Sequence, residues 1–157
     1  MKVKMYRSVL GQDGYASIVS EKGTYVCDGR KAFASPNVIA DFCRAQIHTD
    51  ALAEEKVYAF ALDTRMHLMG VFEVSSGSCN ASFVPVREVF QKLLSLNAVC
   101  FALVHNHPSG DPTPSGDDNA VTERLRECGK LLGVELVDHV IVGNYGPAYS
   151  MTVNEYI

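Results

Sequence analysis

The chain has 157 residues, 47% of them apolar and 20% charged, with a formal net charge of −4. That length suits one domain with a true core and leaves little room for two. The composition is that of an ordinary globular chain, and the acidic balance argues against nonspecific binding to a nucleic-acid backbone as the main task.

The N-terminus, MKVKMYRSVLGQDGYAS, carries lysines with no apolar stretch behind them, so a secretory signal is not expected. No apolar run approaches the roughly 20 residues needed to cross a bilayer. The five cysteines, Cys27, Cys43, Cys79, Cys100 and Cys128, are odd in number and form no C-x-x-C pair. They read as small buried hydrophobes in a reducing cytoplasm rather than as disulfides or a thiolate metal site.

In chain order, VKMYRSVL and KGTYVCD read as short strands separated by Gly-containing turns. At SPNVIADFCRAQI, Ser35 suits an N-cap and Pro36 the first helical position. Val38, Ile39, Phe42 and Cys43 then follow at helical spacing, predicting a helix over 36–47. VYAFALD, 57–63, and HLMGVFEVS, 67–75, read as a strand hairpin, with SGSCNAS as a loop or bulge. VREVFQKLLSL, 86–96, places Val86, Val89, Phe90, Leu93 and Leu94 on one helical face. AVCFALV, 98–104, is apolar throughout and predicts a central strand covered on both faces. A further helix is expected over 116–132, stopped by Gly133. VELVDHVIVG, 134–143, reads as a strand, and AYSMTV as a last one. Strands alternate with helices, so the expected class is α/β, with a mixed sheet between helical layers.

The stretch HNHPSGDPTPSGDD, 105–118, follows the most apolar run in the chain. Residues i and i+2 of a strand share a face, so His105 and His107 project together from the strand's carboxyl end. Ligands of open α/β sheets bind at such ends. Ser115 fits an N-cap, which makes Asp118 the N3 residue of a capping box that starts the next helix. A helix start beside a strand end is also a rigid way to bring one carboxylate to two imidazoles. Two histidines and a carboxylate leave a fourth tetrahedral position open, the pattern of a catalytic zinc. Asp117 lies about 100° around the helix and Asp111 lies in the loop, which makes both weaker third ligands than Asp118. A metal-activated water needs a base. Glu54, Glu55, Glu73 and Glu88 are candidates. Glu88 lies on the polar, solvated face of a helix, while Glu54 and Glu55 sit just before the strand VYAFALD, and periodicity does not choose between them.

These residues resemble the JAMM (MPN+/JAB) metalloprotease signature, H-x-H-P, then a loop, then S-x-x-D. His105, His107, Ser115 and Asp118 match it, with seven residues between His107 and Ser115. REVFQKLLSLNAVCFALVHNHPSGDPTPSGDD and GKLLGVELVDHVIVG are more closely similar to the JAB domain of bacterial RadC-like proteins. The resemblance covers about residues 36–152. It divides the chain into an N-terminal extension, 1–35, of short strands packed on the core, and a RadC-like JAB/MPN domain, 36–157.

The resemblance implies a deaminase-like three-layer α/β/α sandwich. It implies zinc held by His105, His107 and Asp118, although His and carboxylate ligands also suit Mn²⁺ or Fe²⁺. Ser115 would polarise the oxyanion of a tetrahedral intermediate. The family glutamate precedes a strand ending in Leu-Asp, a pattern matched by EKVYAFALDT, so the general acid/base role carries over to Glu55. Where family members often have His-Pro before Arg-Glu-Val-Phe, this chain has Val84-Pro85-Val86. The N-terminal helix-hairpin-helix region of longer members is not expected within these 157 residues. His139, inside an apolar strand, reads as a core residue or as an orienting partner of a ligand histidine. His48 and His67 read as structural or solvated.

The expected function is therefore zinc-dependent hydrolysis of a peptide or isopeptide bond in a protein or peptide substrate. The alternative is a binding module of DNA maintenance or of a mobile element, with little turnover; nucleic acid is a partner that the net charge does not favour. A metal-free interaction scaffold is a third reading, disfavoured because every metal-binding position is filled.

Overall fold

The computed structural model describes residues 2–12, 15–27, 32–77, 84–152 and 154. Cys79, and the expected SGSCNAS loop from residue 78 on, lie outside the described residues, as does Val153 of the last expected strand.

Among the described residues, seven strands form one sheet. They are β1 (Lys2–Leu10), β2 (Ala16–Val26), β3 (Glu55–Leu62), β4 (Leu68–Gly77), β5 (Cys100–Asn106), β6 (Glu135–Val142) and β7 (Tyr149–Ser150). Their spatial order is β2-β1-β4-β3-β5-β6-β7. The β1–β4 and β5–β6 pairs are parallel and the other four are antiparallel. The mixed sheet is thus as expected, and β1 and β2 simply extend it beyond β4.

Alternation along the central strands divides the core. Tyr58, Phe60 and Leu62 of β3 face one way, with Ala102 and Val104 of β5. They pack under helix α1 (Pro36–Phe42), which contributes Ile39, Ala40 and Phe42. Val57, Ala59 and Ala61 face the other way, with Phe101 and Leu103. They meet Val89, Phe90 and Leu93 of α2 (Val86–Ser95) and Val121 and Leu125 of α3 (Gly116–Leu132). This is the three-layer α/β/α sandwich that the resemblance implies. β5 is buried at all seven positions, as a strand covered on both faces must be.

Several boundaries differ from those expected. The helix after Pro36 is α-helical only to Phe42; Cys43–Ile47 form a π turn, closed by a His48 N–H donating to the Cys43 carbonyl. The wider turn keeps Cys43 in the core while Gln46 accepts from the Val26 N–H and Arg44 reaches the Gly146 carbonyl. β2 begins at Ala16 rather than near residue 22, because an edge strand continues through polar residues that need no burial. β3 begins at Glu55, two residues early, since Glu55 and Lys56 pair with Gly77 and Ser76. β5 runs to Asn106, so His105 lies in the strand and His107 just past it. Helix α3 has the limits expected of it. No helix among the described residues is long and apolar enough to cross a membrane.

Candidate metal centre

The β3–β5 register pairs Val57 with His105, so both side chains lie on the α3 side of the sheet. Glu55 is two residues before Val57 and shares that side. His139 pairs with Leu103 and does likewise. Helix α3 begins beside this strand end through a complete capping box. The Ser115 Oγ accepts from the Asp118 N–H at 3.2 Å, and the Ser115 N–H donates to Asp118 Oδ2 at 2.7 Å. The Ser115 hydroxyl also donates to Oδ2 at 2.7 Å. Four side chains from three chain segments converge in this way: Glu55, His105, His107 and Asp118.

Their ligating atoms lie within 4.8 Å of one another. His105 Nε2 stands 2.9 Å from His107 Nε2, 3.2 Å from Asp118 Oδ1 and 3.7 Å from Glu55 Oε1. His107 Nε2 stands 3.7 Å from Asp118 Oδ2 and 4.0 Å from Glu55 Oε1. Ligands held 2.0–2.1 Å from a tetrahedral zinc are about 3.3 Å apart, so these separations bracket that spacing. His105 and Asp118 are buried, whereas the Glu55 side chain is 22% exposed.

Hydrogen-bond partners assign the tautomers. The Thr122 hydroxyl donates to the Asp118 carbonyl at 2.6 Å and so accepts from His139 Nδ1–H, also at 2.6 Å. Burial, followed by repulsion from His105, keeps His139 neutral by pushing its pKa well down. Its Nε2 then carries a lone pair and accepts from His105 Nδ1–H at 2.8 Å. That leaves His105 Nε2 bare. The His107 Nδ1–H donates to the Asp111 carbonyl at 2.7 Å, so neutral His107 also presents a bare Nε2. Two lone pairs therefore face each other beside two carboxylates. Asp118 Oδ1, fully buried, receives no hydrogen bond from the described residues. Such a set of converging acceptors fits a divalent cation.

The other candidates lie elsewhere. The Asp111 carboxylate accepts from the Thr113 N–H and hydroxyl, so only its carbonyl serves the site. Asp117 is exposed. Glu54 accepts from the Ser76 hydroxyl and Glu73 pairs with Lys56 at 3.2 Å, both outside the cluster. Glu88 sits in the first turn of α2, where Pro85 is the N-cap and Val84 is buried. His67 pairs with Asp63, and His48 ends the π turn with φ 60°. Sequence reasoning missed Thr122 and Asn106. Each had a signal, a polar residue at a position the periodicity marks as buried.

Burial, aided by repulsion from His107, also holds His105 down to about 3. Unfolded histidine takes a proton below about 6.5. The denatured chain therefore binds more protons than the native one between those values, and stability falls as pH drops through that window. In chelator, His105 alone is expected to remove about 1.4 kcal/mol per pH unit below 6.5. Denaturant titrations at pH 7.5 and 5 check this; equal midpoints would contradict it. A second expectation concerns the orienting chain. His139→Phe removes the acceptor for His105 Nδ1–H and should weaken metal binding about 10–100-fold in a competition titration with zinc as the probe. An unchanged affinity would show that His139 does not orient its neighbour.

Known proteins share much of this sequence. The RadC-like JAB domain family matches residues 33–156. A UPF0758 protein of Clostridium beijerinckii is 40% identical over 110 residues, covering 70% of this chain and 47% of that protein. One from Bacillus pumilus is 40% identical over 117 residues, covering 74% and 51%. One from Roseiflexus castenholzii is 43% identical over 99 residues, covering 63% and 42%. The chain thus spans about half the length of the curated relatives it matches, and their names state no activity. With the matched segment taking in α1 through β7 and all four residues of the converging cluster, the chain belongs to the RadC-like JAB-domain family.

Proposed function

We propose that the chain is a metal-dependent hydrolase of the JAMM type that cleaves a peptide or isopeptide bond in a protein or peptide substrate. One observation carries the reading: two bare imidazole nitrogens and an orphaned carboxylate oxygen converge beside a second, half-buried carboxylate. His105, His107 and Asp118 are the ligands, and zinc is the ion that best suits three such ligands with an open position. A zinc ion supplies Lewis acidity and lowers the pKa of a water to about 7.

Glu55 is not needed to complete that ligand set. It takes the proton of the attacking water and returns it to the departing amine. The Ser115 hydroxyl spends its proton on Asp118 Oδ2, which holds that ligand in place. Turned away from Oδ2, the same hydroxyl donates to the oxyanion that develops at the substrate carbonyl. Glu55 and Asp118 bring two carboxylates to the site, which repel a phosphate backbone and disfavour the nucleic-acid reading. The thiols of buried Cys43 and Cys100 fit a reducing cytoplasm as the setting.

Chelation of the full chain should abolish peptide cleavage, and about one equivalent of zinc should restore it. His107→Ala should not be restored. Cleavage that survives both treatments would overturn the mechanism.

A further inference from the structure

The residue between the two histidines points the other way. Asn106 is 1% exposed and occupies the last position of β5. Its main chain is held by β6, where it pairs with Val142. On its other side the ladder to β3 stops at Val57↔His105. Beyond that pair the two strands part, and this parting makes room for the Glu55 carboxylate beside the imidazoles. The Asn106 carboxamide spans the gap. Its Oδ1 accepts from the Lys56 N–H at 3.0 Å, and its Nδ2 donates to the Glu54 carbonyl at 3.1 Å. These two groups flank Glu55 on either side. β4 fixes the path of this segment through Glu55↔Gly77 and Lys56↔Ser76. Among the described residues, it is Asn106 that bridges this segment to β5.

We propose that Asn106 is the positioning residue of Glu55, its carboxamide standing in for a peptide group where β3 and β5 separate. This rests on the reading of Glu55 as the acid/base. The chemistry demands an amide of this length. The bridge needs one acceptor and one donor, and a flipped amide would set donor against donor and acceptor against acceptor. Aspartate offers no donor to the Glu54 carbonyl. Serine and alanine are too short to span the gap. His105, His107 and Asp118 are held by other contacts, so the bridge bears on Glu55 and leaves the ligand set alone.

The test uses the full chain and the variants Asn106→Ala, Asn106→Asp and Glu55→Gln, with zinc or cobalt(II) as the probe. In Asn106→Ala the Lys56 amide should exchange about tenfold faster or more, having lost its partner. Zinc affinity should stay within about twofold of wild type. The visible spectrum of the cobalt-loaded protein should move as it does in Glu55→Gln, and the double variant should move no further. On a cleavable peptide, kcat should fall about 10²-fold with KM little changed. The double variant should be no slower than Glu55→Gln. Asn106→Asp, close in shape, should keep the Lys56 amide protected yet still move the cobalt spectrum, and it serves if the alanine variant fails to fold.

A Lys56 amide still protected in Asn106→Ala, or a cobalt spectrum unmoved in both variants, would overturn the proposal. So would losses that add in full to those of Glu55→Gln. The exchange and cobalt measurements need no turnover. Were the wild type to cleave nothing while both came out as expected, the proposed reaction would fall and the Asn106 assignment would stand.

Discussion

Asp118→Ala is expected to cost the protein its metal. Zinc content after dialysis, read by native mass spectrometry, should fall from about one ion per chain to almost none. Affinity should drop well beyond the 10–100-fold or so that follows from disturbing an orienting partner, because a charged ligand is lost outright. The fold should survive. Ser115 Oγ still receives the N–H of residue 118, so half of the capping box remains. Losing the other half costs about 0.5–2 kcal/mol, the usual range for a cap. Asp118→Asn separates the two effects, since an amide can keep the box while giving up the negative charge. Zinc retained at full stoichiometry in Asp118→Ala would remove Asp118 from the ligand set.

Glu55→Gln should do the opposite, keeping the metal and losing the reaction. The amide occupies the same space beside His105 and His107 but accepts no proton. General acid–base groups contribute about 10²–10⁴-fold, so kcat should fall within that range while KM and zinc content hold. The ion and the Ser115 hydroxyl would account for what activity remains. A variant with wild-type kcat would mean that another group handles the proton. Glu54 is the nearest alternative in sequence, but its carboxylate is turned toward Ser76.

Much of this centre is legible in 14 consecutive residues. H-x-H at the end of an apolar run, prolines, then S-x-x-D describe a strand end and a helix start, and the structure brings three side chains of that stretch together. Helix α3 was readable to the residue because it is punctuated at both ends, by the Ser115 box and by Gly133 at φ 69°. Glu55 was different. Its strand starts early because Glu55 and Lys56 are polar residues paired at the open end of the sheet, where no apolar periodicity marks them. Only the family resemblance singled it out among four glutamates. His139 illustrates another limit. An imidazole in an apolar strand looks like filler until β6 is laid beside β5 and α3 is folded over both. Its partners, His105 and Thr122, lie 34 and 17 positions away and come together only in the folded sheet. Asn106 was hidden by its neighbours, since the eye takes H-x-H as two residues and a spacer.

The chain order of the cluster bears on how strongly an ion can steady this fold. His105, His107 and Asp118 fall within a 14-residue window, whereas Glu55 lies 50 positions upstream of His105. Closing so short a loop costs a denatured chain little. The unfolded polypeptide is therefore expected to wrap the same ion weakly with its own two histidines and aspartate. Any such affinity subtracts from the stabilisation that ligand linkage would otherwise give. Zinc should raise the melting temperature by less than its native affinity implies, and the shortfall should shrink in His107→Ala. An arrangement compact in sequence thus makes the ion a poor lock on the folded state, and leaves the sheet to hold itself together.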